Sequence, residues 1–198
     1  MTVISALCTG VGIALIAVLR PSIVEGVGIC LALVVGYALD AADGQLARLR
    51  GGGSPAGEWL DHVIDCAKIA SLHLAVLIAA FRFFALPTGW LLVPLGYSAV
   101  ATVMFFAMTL NDQLRRNYRP NGRQTPPVAT VARPSALRSL LVIPTDYGLF
   151  CLVFLLWGLR DVYAVIYGLL FLANAGFLAL ALRKWFGDMR ALAQRETG

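Results

Sequence analysis

Long apolar stretches are the feature of this sequence that most limits its possible folds. A helix needs roughly 20 mainly apolar residues to cross about 30 Å of hydrocarbon, and six stretches approach that length. They cover Val3–Leu19, Ile23–Ala42, Leu60–Phe81, Trp90–Leu110, Leu140–Leu159 and Tyr163–Leu182. Backbone groups inside lipid must find hydrogen bonds within the protein, which helices provide. The sequence therefore predicts an all-α integral membrane protein, a bundle of six transmembrane helices.

The composition places the whole chain in the same class. Hydrophobic residues make up 59% of the chain and charged residues 14%, with a mean hydropathy of +0.77. Soluble globular domains are far more polar. The first stretch lacks a basic segment before it and a small-residue cleavage site after it, so we expect a retained helix. We divide the chain into a membrane domain, residues 1–182, and a basic cytoplasmic tail, residues 183–198.

Basic residues are concentrated in alternate connections between the apolar stretches. The connections after the second and fourth stretches and the tail hold Arg48, Arg50, Arg115, Arg116, Arg119, Arg123, Arg133, Arg138, Arg183, Lys184, Arg190 and Arg195. The opposite connections hold only Arg20, Arg82 and Arg160. Because basic loops stay in the cytoplasm, we expect both termini there. The balance of 14 Arg to 2 Lys is typical of a GC-rich genome, so we expect a bacterial cytoplasmic membrane. No basic domain or recognition motif indicates a nucleic-acid partner.

Four aspartates interrupt the apolar sequence between the second and third stretches. Asp40 and Asp43 are three residues apart and share one helical face. Asp61 and Asp65 are four apart and share a face in the same way. The Gly-rich run 51–55 between the two pairs predicts a reversal, which makes the two helices antiparallel neighbours. We therefore expect the four carboxylates to converge at the cytoplasmic end of the bundle.

These carboxylates indicate a metal site. Four like charges in a medium of low dielectric constant repel one another unless a cation lies among them. Carboxylate oxygens suit hard ions such as magnesium or manganese, which also bridge phosphate oxygens in phosphoryl transfer. Small residues beside the acids allow a bulky ligand close to the backbone, and a nearby arginine provides a cation for a diphosphate. Ordinary solvated loop acids are the simpler alternative, but four in helical register favour a function.

The spacing of these residues resembles the signature of the CDP-alcohol phosphotransferases, also called CDP-alcohol phosphatidyltransferases. Every specified position is filled in the pattern Asp40-x2-Asp43-Gly44-x2-Ala47-Arg48-x8-Gly57-x3-Asp61-x3-Asp65. The resemblance implies transfer of a phospho-alkyl group from a CDP-linked donor to an acceptor hydroxyl, with release of CMP. It also implies a homodimer and two magnesium or manganese ions at a site that faces the cytoplasm.

The resemblance implies a role for each motif position. The positions that match metal ligands are Asp40, Asp43, Asp61 and Asp65. Asp65 also matches the residue that takes the proton of the acceptor hydroxyl. The positions that match contacts to the cytidine nucleotide are Gly44, Ala47, Arg48 and Gly57.

Charged residues outside the motif leave alternatives open. Lys68 lies on the helical stripe of Asp65 and either forms an ion pair that lets the acid enter the membrane or binds phosphate. Asp146 follows Pro144-Thr145 and either belongs to an acceptor pocket or caps a helix. For His62 and His73 we expect packing roles.

The substrates are predicted only by class. We favour CDP-diacylglycerol as donor and a small polyol or polyol phosphate as acceptor, and a CDP-polyol donor with a lipid acceptor is the alternative. The segment Asn111–Arg116 lacks the basic run typical of the branches that use polyol phosphates. A cation transporter lined by carboxylates is the alternative from a different class. Such proteins usually place acids near the bilayer midplane and often contain internal repeats, and neither feature is visible here.

Overall fold

The described parts of the chain, residues 2–49, 54–117 and 145–194 of the computed structural model, are almost entirely helical. The helices are α1 (Thr2–Val18), α2 (Ile23–Leu49), α3 (Pro55–Phe83), α4 (Leu92–Asn117), α5 (Tyr147–Val153) and α6 (Arg160–Gln194). Two 3-10 turns adjoin them, Thr88–Leu91 before α4 and Phe154–Leu156 after α5. These ranges contain no strand, which confirms the all-α class.

Four helices of the described ranges are long and apolar enough to cross a membrane. They are Ile23–Leu46, Pro55–Phe83, Thr88–Asn117 and Arg160–Ala191. The apolar helices Thr2–Val18 and Tyr147–Leu156 are shorter, at 10–17 residues. Large apolar side chains such as Phe81 and Leu180 point outward and are 77% and 72% exposed. A surface of this kind is stable in lipid, so the chain is a multi-pass membrane protein.

Several helices extend beyond the predicted apolar stretches at the end that carries the aspartates. Helix α2 continues past Ala42 to Leu49, and α3 begins at Pro55, before the predicted Leu60. Helix α6 likewise continues through most of the predicted tail, to Gln194. An apolar window ends where polar residues begin, but helical hydrogen bonds do not depend on side-chain polarity. As a result, the acidic motif lies on helix and not on loop.

The fifth predicted stretch, Leu140–Leu159, is helical over Tyr147–Leu156 in its described part. Residues 140–144 lie outside the described ranges. Helix α5 is short and passes into the 3-10 turn Phe154–Leu156. Just beyond it, Gly158 lies so close to the start of α2 that a Cβ atom there would be 2.5 Å from a backbone nitrogen. This close contact requires a glycine where the chain turns between α5 and α6.

Side-chain caps fix the starts of two helices. Ser54 Oγ accepts a hydrogen bond from the Gly57 N–H at 3.1 Å, and Pro55 fills the first turn of α3. Asp146 Oδ1 accepts from the Leu149 N–H at 2.8 Å and begins α5. Both contacts satisfy amide groups that have no partner within the helix. The structure shows the helix cap, and Asp146 also lines a cavity between α3, α4, α5 and α6, so its place in an acceptor pocket stays a prediction.

An aromatic cluster closes the end of the bundle opposite the aspartates. The ring of Phe84 packs against Trp90, Trp157 and Tyr163, with ring centroids 6.3, 5.4 and 6.1 Å away. Trp157 and Tyr163 are completely buried. Aromatic pairs at these separations add to the stabilisation from burial. The cluster holds this end together and leaves the functional residues at the other end.

Helices α1 and α2 approach closely through small residues. A Cβ atom at Gly36 would clash with the Thr9 side chain and would lie 3.0 Å from the Thr9 nitrogen and 3.2 Å from the Ser5 carbonyl oxygen. A Cβ atom at Gly12 would lie 2.9 Å from Leu33. Small residues allow such an approach between membrane helices. It brings the start of α1 to the acidic end of α2.

Substitution at this contact tests the packing. Gly36→Ala is expected to destabilise the protein by about 1–3 kcal/mol, because the added methyl group meets backbone atoms that cannot rotate away. The measurement is thermal unfolding in detergent. Gly28→Ala on the same helix is the matched control, since a Cβ atom there meets nothing within 4 Å. Alanine is also the better helix former, so we expect no loss in the control. Equal melting temperatures for the two variants would contradict the close approach.

Candidate active site

Three of the four motif aspartates meet where α2 ends and α3 begins. One carboxylate oxygen each of Asp40, Asp61 and Asp65 lies within 4.8 Å of the other two. The two helices make little direct backbone contact, and α1 packs against both of them. The sequence therefore predicted the convergence of these carboxylates, but not the helix that holds their two helices together.

The ammonium group of Lys68 lies among these carboxylates. Its Nζ donates hydrogen bonds to Asp65 Oδ1 at 2.9 Å and to Asp40 Oδ1 at 3.2 Å. The Lys68 side chain is only 14% exposed. Hydrogen bonds between ionised partners are the stronger kind, and more so in a poorly solvated site. The structure shows the ion pair for Lys68, and phosphate binding by Lys68 stays a prediction.

Ser5 on α1 contacts both partners of the ion pair between Asp40 and Lys68. Its Oγ lies 3.0 Å from both Asp40 Oδ1 and the Gly36 carbonyl oxygen, and it accepts from Lys68 Nζ at 3.5 Å. Ser5 is completely buried. A single hydroxyl group thus connects α1, α2 and α3 at the site.

Asp43 is held by α1 as well. Thr2 Oγ1 donates a hydrogen bond to Asp43 Oδ2 at 2.5 Å. Neither hydroxyl group of α1 was predicted from the sequence. The available signal was the recurrence of small residues at Thr2, Ser5, Thr9 and Gly12, three or four apart along an apolar helix. Ser5, Thr9 and Gly12 are buried in the structure.

The positions matched to the nucleotide lie on the same two helices. Gly44 is half-buried on α2, one turn beyond Asp40. Gly57 lies in the first turn of α3, beside its cap. Ala47 and Arg48 belong to the last turns of α2, and their side chains lie outside what the structure describes. Nucleotide contacts at all four positions stay predictions.

Ion pairs connect α4 to its neighbours near the site. Arg115 contacts Asp188 on α6 at 2.7 Å, and Arg116 contacts Glu58 on α3 at 2.7 Å. These side chains are exposed, so each pair adds little stability. Of the six arginines predicted for this connection, Arg115 and Arg116 belong to α4 instead, and the other four lie outside the described ranges: Arg119, Arg123, Arg133 and Arg138.

A cavity of about 380 Å³ lies beside the site, between α3, α4, α5 and α6. Its walls are mostly apolar and include Leu72, Ala101, Met104 and Phe105. Ile69, one helical turn beyond Asp65 on α3, lines the cavity, so the cavity adjoins the helix segment that carries the carboxylates.

Part of the cavity wall is polar, but its polar side chains form hydrogen bonds with protein groups. His73 Nδ1 lies 2.8 Å from the Tyr167 hydroxyl, and the His73 ring stacks on Tyr97 at 4.0 Å. Asn174 donates to the Tyr97 hydroxyl at 3.0 Å. These contacts confirm the packing role that the sequence predicted for His73. The remaining space is suited to an apolar group.

Comparison with known families gives one match. A family model described as CDP-alcohol phosphatidyltransferase matches residues 1–182, which include every position of the acidic motif. Comparisons with curated proteins and with solved structures give no match.

Proposed function

Because the chain belongs to the CDP-alcohol phosphatidyltransferase family, whose members transfer substituted phosphate groups, we propose that it makes a membrane phospholipid from CDP-diacylglycerol. The family transfers a phospho-alcohol from a CDP-linked donor to an alcohol. The proposal adds a phosphatidyl group as the transferred group and a small polyol or polyol phosphate as the acceptor, with release of CMP. The convergence of Asp40, Asp61 and Asp65 beside an apolar cavity carries the proposal.

The donor atoms fit a hard divalent cation. Asp40, Asp61 and Asp65 offer oxygen ligands alone, which magnesium and manganese prefer. The family is generally dependent on divalent metal, and we add Asp43 as a fourth ligand because it lies one helical turn beyond Asp40. When bound, two Mg²⁺ or Mn²⁺ ions would neutralise the diphosphate and stabilise CMP as the leaving group.

Asp65 is the residue to which we assign proton transfer. It contributes one oxygen to the group of three carboxylates, and a carboxylate has a second oxygen that can accept a proton. With Asp65 as general base, the acceptor oxygen attacks the phosphorus that carries the diacylglycerol. The bond from that phosphorus to the oxygen bridging it to CMP breaks, and no covalent enzyme intermediate forms. Small side chains at Gly44, Ala47 and Gly57 admit the nucleotide, and Arg48 contacts it.

The apolar cavity supports a substrate with a hydrocarbon chain. A polyol would lose its hydrogen bonds to water in a cavity walled mainly by apolar side chains, whereas an acyl chain loses none. Under our proposal the chain belongs to the donor. Under the alternative, a CDP-polyol donor with a lipid acceptor, the chain belongs to the acceptor.

A substitution that fills the cavity tests whether the cavity binds the lipid chain of a substrate. Ala101→Phe is expected to raise KM for a long-chain lipid substrate about tenfold, which corresponds to about 1.4 kcal/mol, and to leave KM for a short-chain analogue unchanged. The measurement is CMP release with donors of different chain length. Val103→Phe on the outward face of α4 is the matched control, since Val103 is exposed. A KM increase that is equal for both chain lengths would remove the cavity from the substrate site.

We propose six membrane spans, with both termini and the active site at the cytoplasmic face of a bacterial membrane. Arg115, Arg116 and Arg183 lie at the end of the bundle that carries the aspartates, and Arg82 and Arg160 at the other, in agreement with the distribution of basic residues in membrane proteins. The proposed membrane domain is residues 1–182, followed by the basic tail 183–198, and the functional unit is a homodimer.

The proposal is tested by CMP release from the purified protein in mild detergent. CDP-diacylglycerol is supplied with magnesium, manganese or a chelator, across a panel of inositol, inositol phosphate, glycerol phosphate and serine. We expect release that requires one acceptor and a divalent metal. Release only from a CDP-polyol with diacylglycerol would establish the alternative donor. If no CDP compound is bound or cleaved and vesicles containing the protein show cation flux, the cation transporter replaces the transferase.

A further inference from the structure

Lys68 makes more contacts at the candidate metal site than an ordinary ion pair requires. An ammonium group has three N–H donors. Three acceptors surround Nζ: Asp65 Oδ1 at 2.9 Å, Asp40 Oδ1 at 3.2 Å and Ser5 Oγ at 3.5 Å. The ammonium group is therefore held in a fixed position between α1, α2 and α3.

The buried position of the Lys68 ammonium group is unfavourable unless its neighbours compensate for the lost solvation. Lys68 lies within an apolar helix long enough to cross the membrane, and its side chain is 14% exposed. Burying an ammonium group is costly unless opposite charges lie in contact. The three carboxylates, which lie within 4.8 Å of one another, are also unfavourable alone, because their like charges repel. The ammonium group offsets the repulsion among the carboxylates, and the carboxylates offset the cost of burying the ammonium group. Lys68 is therefore a cation that the chain itself supplies to the acidic cluster.

The two oxygens that Lys68 contacts belong to residues that fit a divalent cation. Asp40 and Asp65 contribute both to the ion pair and to the group of three carboxylates. An ammonium group and a divalent cation repel each other strongly at the separation that these shared carboxylates impose. The two cations therefore compete for the same two carboxylates.

We propose that Lys68 is a positioning residue whose ammonium group holds Asp40 and Asp65 in the metal-free protein and moves aside when a divalent cation binds. The inference rests on the proposed function, which supplies the metal. Lys68 thereby lowers the affinity of the site for metal and keeps the site assembled without it. Ser5 hydrogen-bonds Asp40 from the buried side, so that this carboxylate keeps a partner after Lys68 leaves.

Substitution of the lysine gives the first test. Lys68→Met removes the charge and keeps most of the length, and we expect the Kd for Mn²⁺, measured by electron paramagnetic resonance, to fall about tenfold as the competing charge is lost. We expect the melting temperature of the metal-free variant to fall and to recover when Mn²⁺ is added. Lys68→Arg keeps the charge and should bind Mn²⁺ as the wild type does. Lys184→Met is the matched control, because Lys184 is exposed and is the only other lysine of the chain.

Labelling of the unmodified protein gives a second test that does not depend on the folding of a variant. A short pulse of acetic anhydride, followed by peptide mass spectrometry, compares the labelling of Lys68 with that of Lys184. We expect magnesium or manganese to increase the labelling of Lys68 several-fold, since its amine leaves the carboxylates. The labelling of Lys184 should not change.

The outcomes separate this inference from the proposed function. If the wild-type protein binds no Mn²⁺ and releases no CMP, the proposed function fails. If the wild type binds Mn²⁺ but Lys68→Met binds it with equal or lower affinity, the inference is overturned and the function stands. Labelling of Lys68 that metal leaves unchanged overturns the inference as well.

Discussion

Asp65→Asn is expected to lower the rate of CMP release by about 10²- to 10⁴-fold, the range for loss of a general base. Asparagine keeps the shape of the side chain and an oxygen that can accept the hydrogen bond from Lys68, so the fold should survive. Its amide cannot accept the proton of the acceptor hydroxyl. The measurement is the initial rate of CMP release at saturating acceptor, with the melting temperature as a check on folding.

The control for this variant is Asp112→Asn, which removes the same charge from an exposed position on α4. We expect its rate to equal that of the wild type. Metal concentration provides a further distinction, because Asp65 is also assigned as a ligand. If only ligation were lost, an excess of Mn²⁺ would restore the rate of Asp65→Asn. A reduction in rate of less than about tenfold at saturating Mn²⁺ would exclude the base role, because loss of a general base lowers the rate by about 10²- to 10⁴-fold.

Sequence alone was sufficient for the acidic cluster because helical geometry converts spacing into position. Residues three or four apart lie on one face of a helix whatever surrounds it. The register of Asp61 and Asp65 on α3 is therefore already present in the sequence. The cluster with Asp40 needed one further step, the reversal predicted from the glycines at residues 51–53. The apolar stretches indicated the membrane class by the same kind of local argument.

The contribution of α1 was not predictable in this way. Ser5 and Thr2 reach Asp40 and Asp43 only because α1 packs tightly on α2, and that contact joins residues far apart in the sequence. The contact depends on Gly36, whose lack of a side chain admits the backbone of α1. Periodicity reveals the small-residue stripe on α1 but not the helix it faces. Pairing of helices is a property of the packed bundle.

The helix ends were missed for a different reason. Apolar windows detect the part of a helix that lies in lipid, and the aspartates themselves ended the predicted second stretch before Leu49. The fifth stretch was expected to be one helix because its composition is uniformly apolar. In its described part it is helical over Tyr147–Leu156, and the chain turns near Gly158, which packs against the start of α2. A hydropathy profile does not reveal close backbone contacts of this kind.

Asp61→Asn is expected to act on metal affinity more than on the chemical step. Asp61 belongs to the cluster by the position of its oxygen, whereas Asp40 and Asp65 also bind Lys68. Loss of this ligand should weaken Mn²⁺ binding by at least about 10- to 100-fold, the range for residues that merely support metal ligands. The measurements are Mn²⁺ binding by electron paramagnetic resonance and CMP release as a function of metal concentration.

Comparison of the two aspartate variants assigns the roles. For Asp61→Asn we expect the metal concentration at half-maximal rate to rise while the rate at saturating metal recovers most of the wild-type value. For Asp65→Asn the maximal rate should stay low at every metal concentration, because no added cation replaces a missing proton acceptor. Identical metal dependence in the two variants would mean that both aspartates act only as ligands. The proton of the acceptor hydroxyl would then pass to a different group.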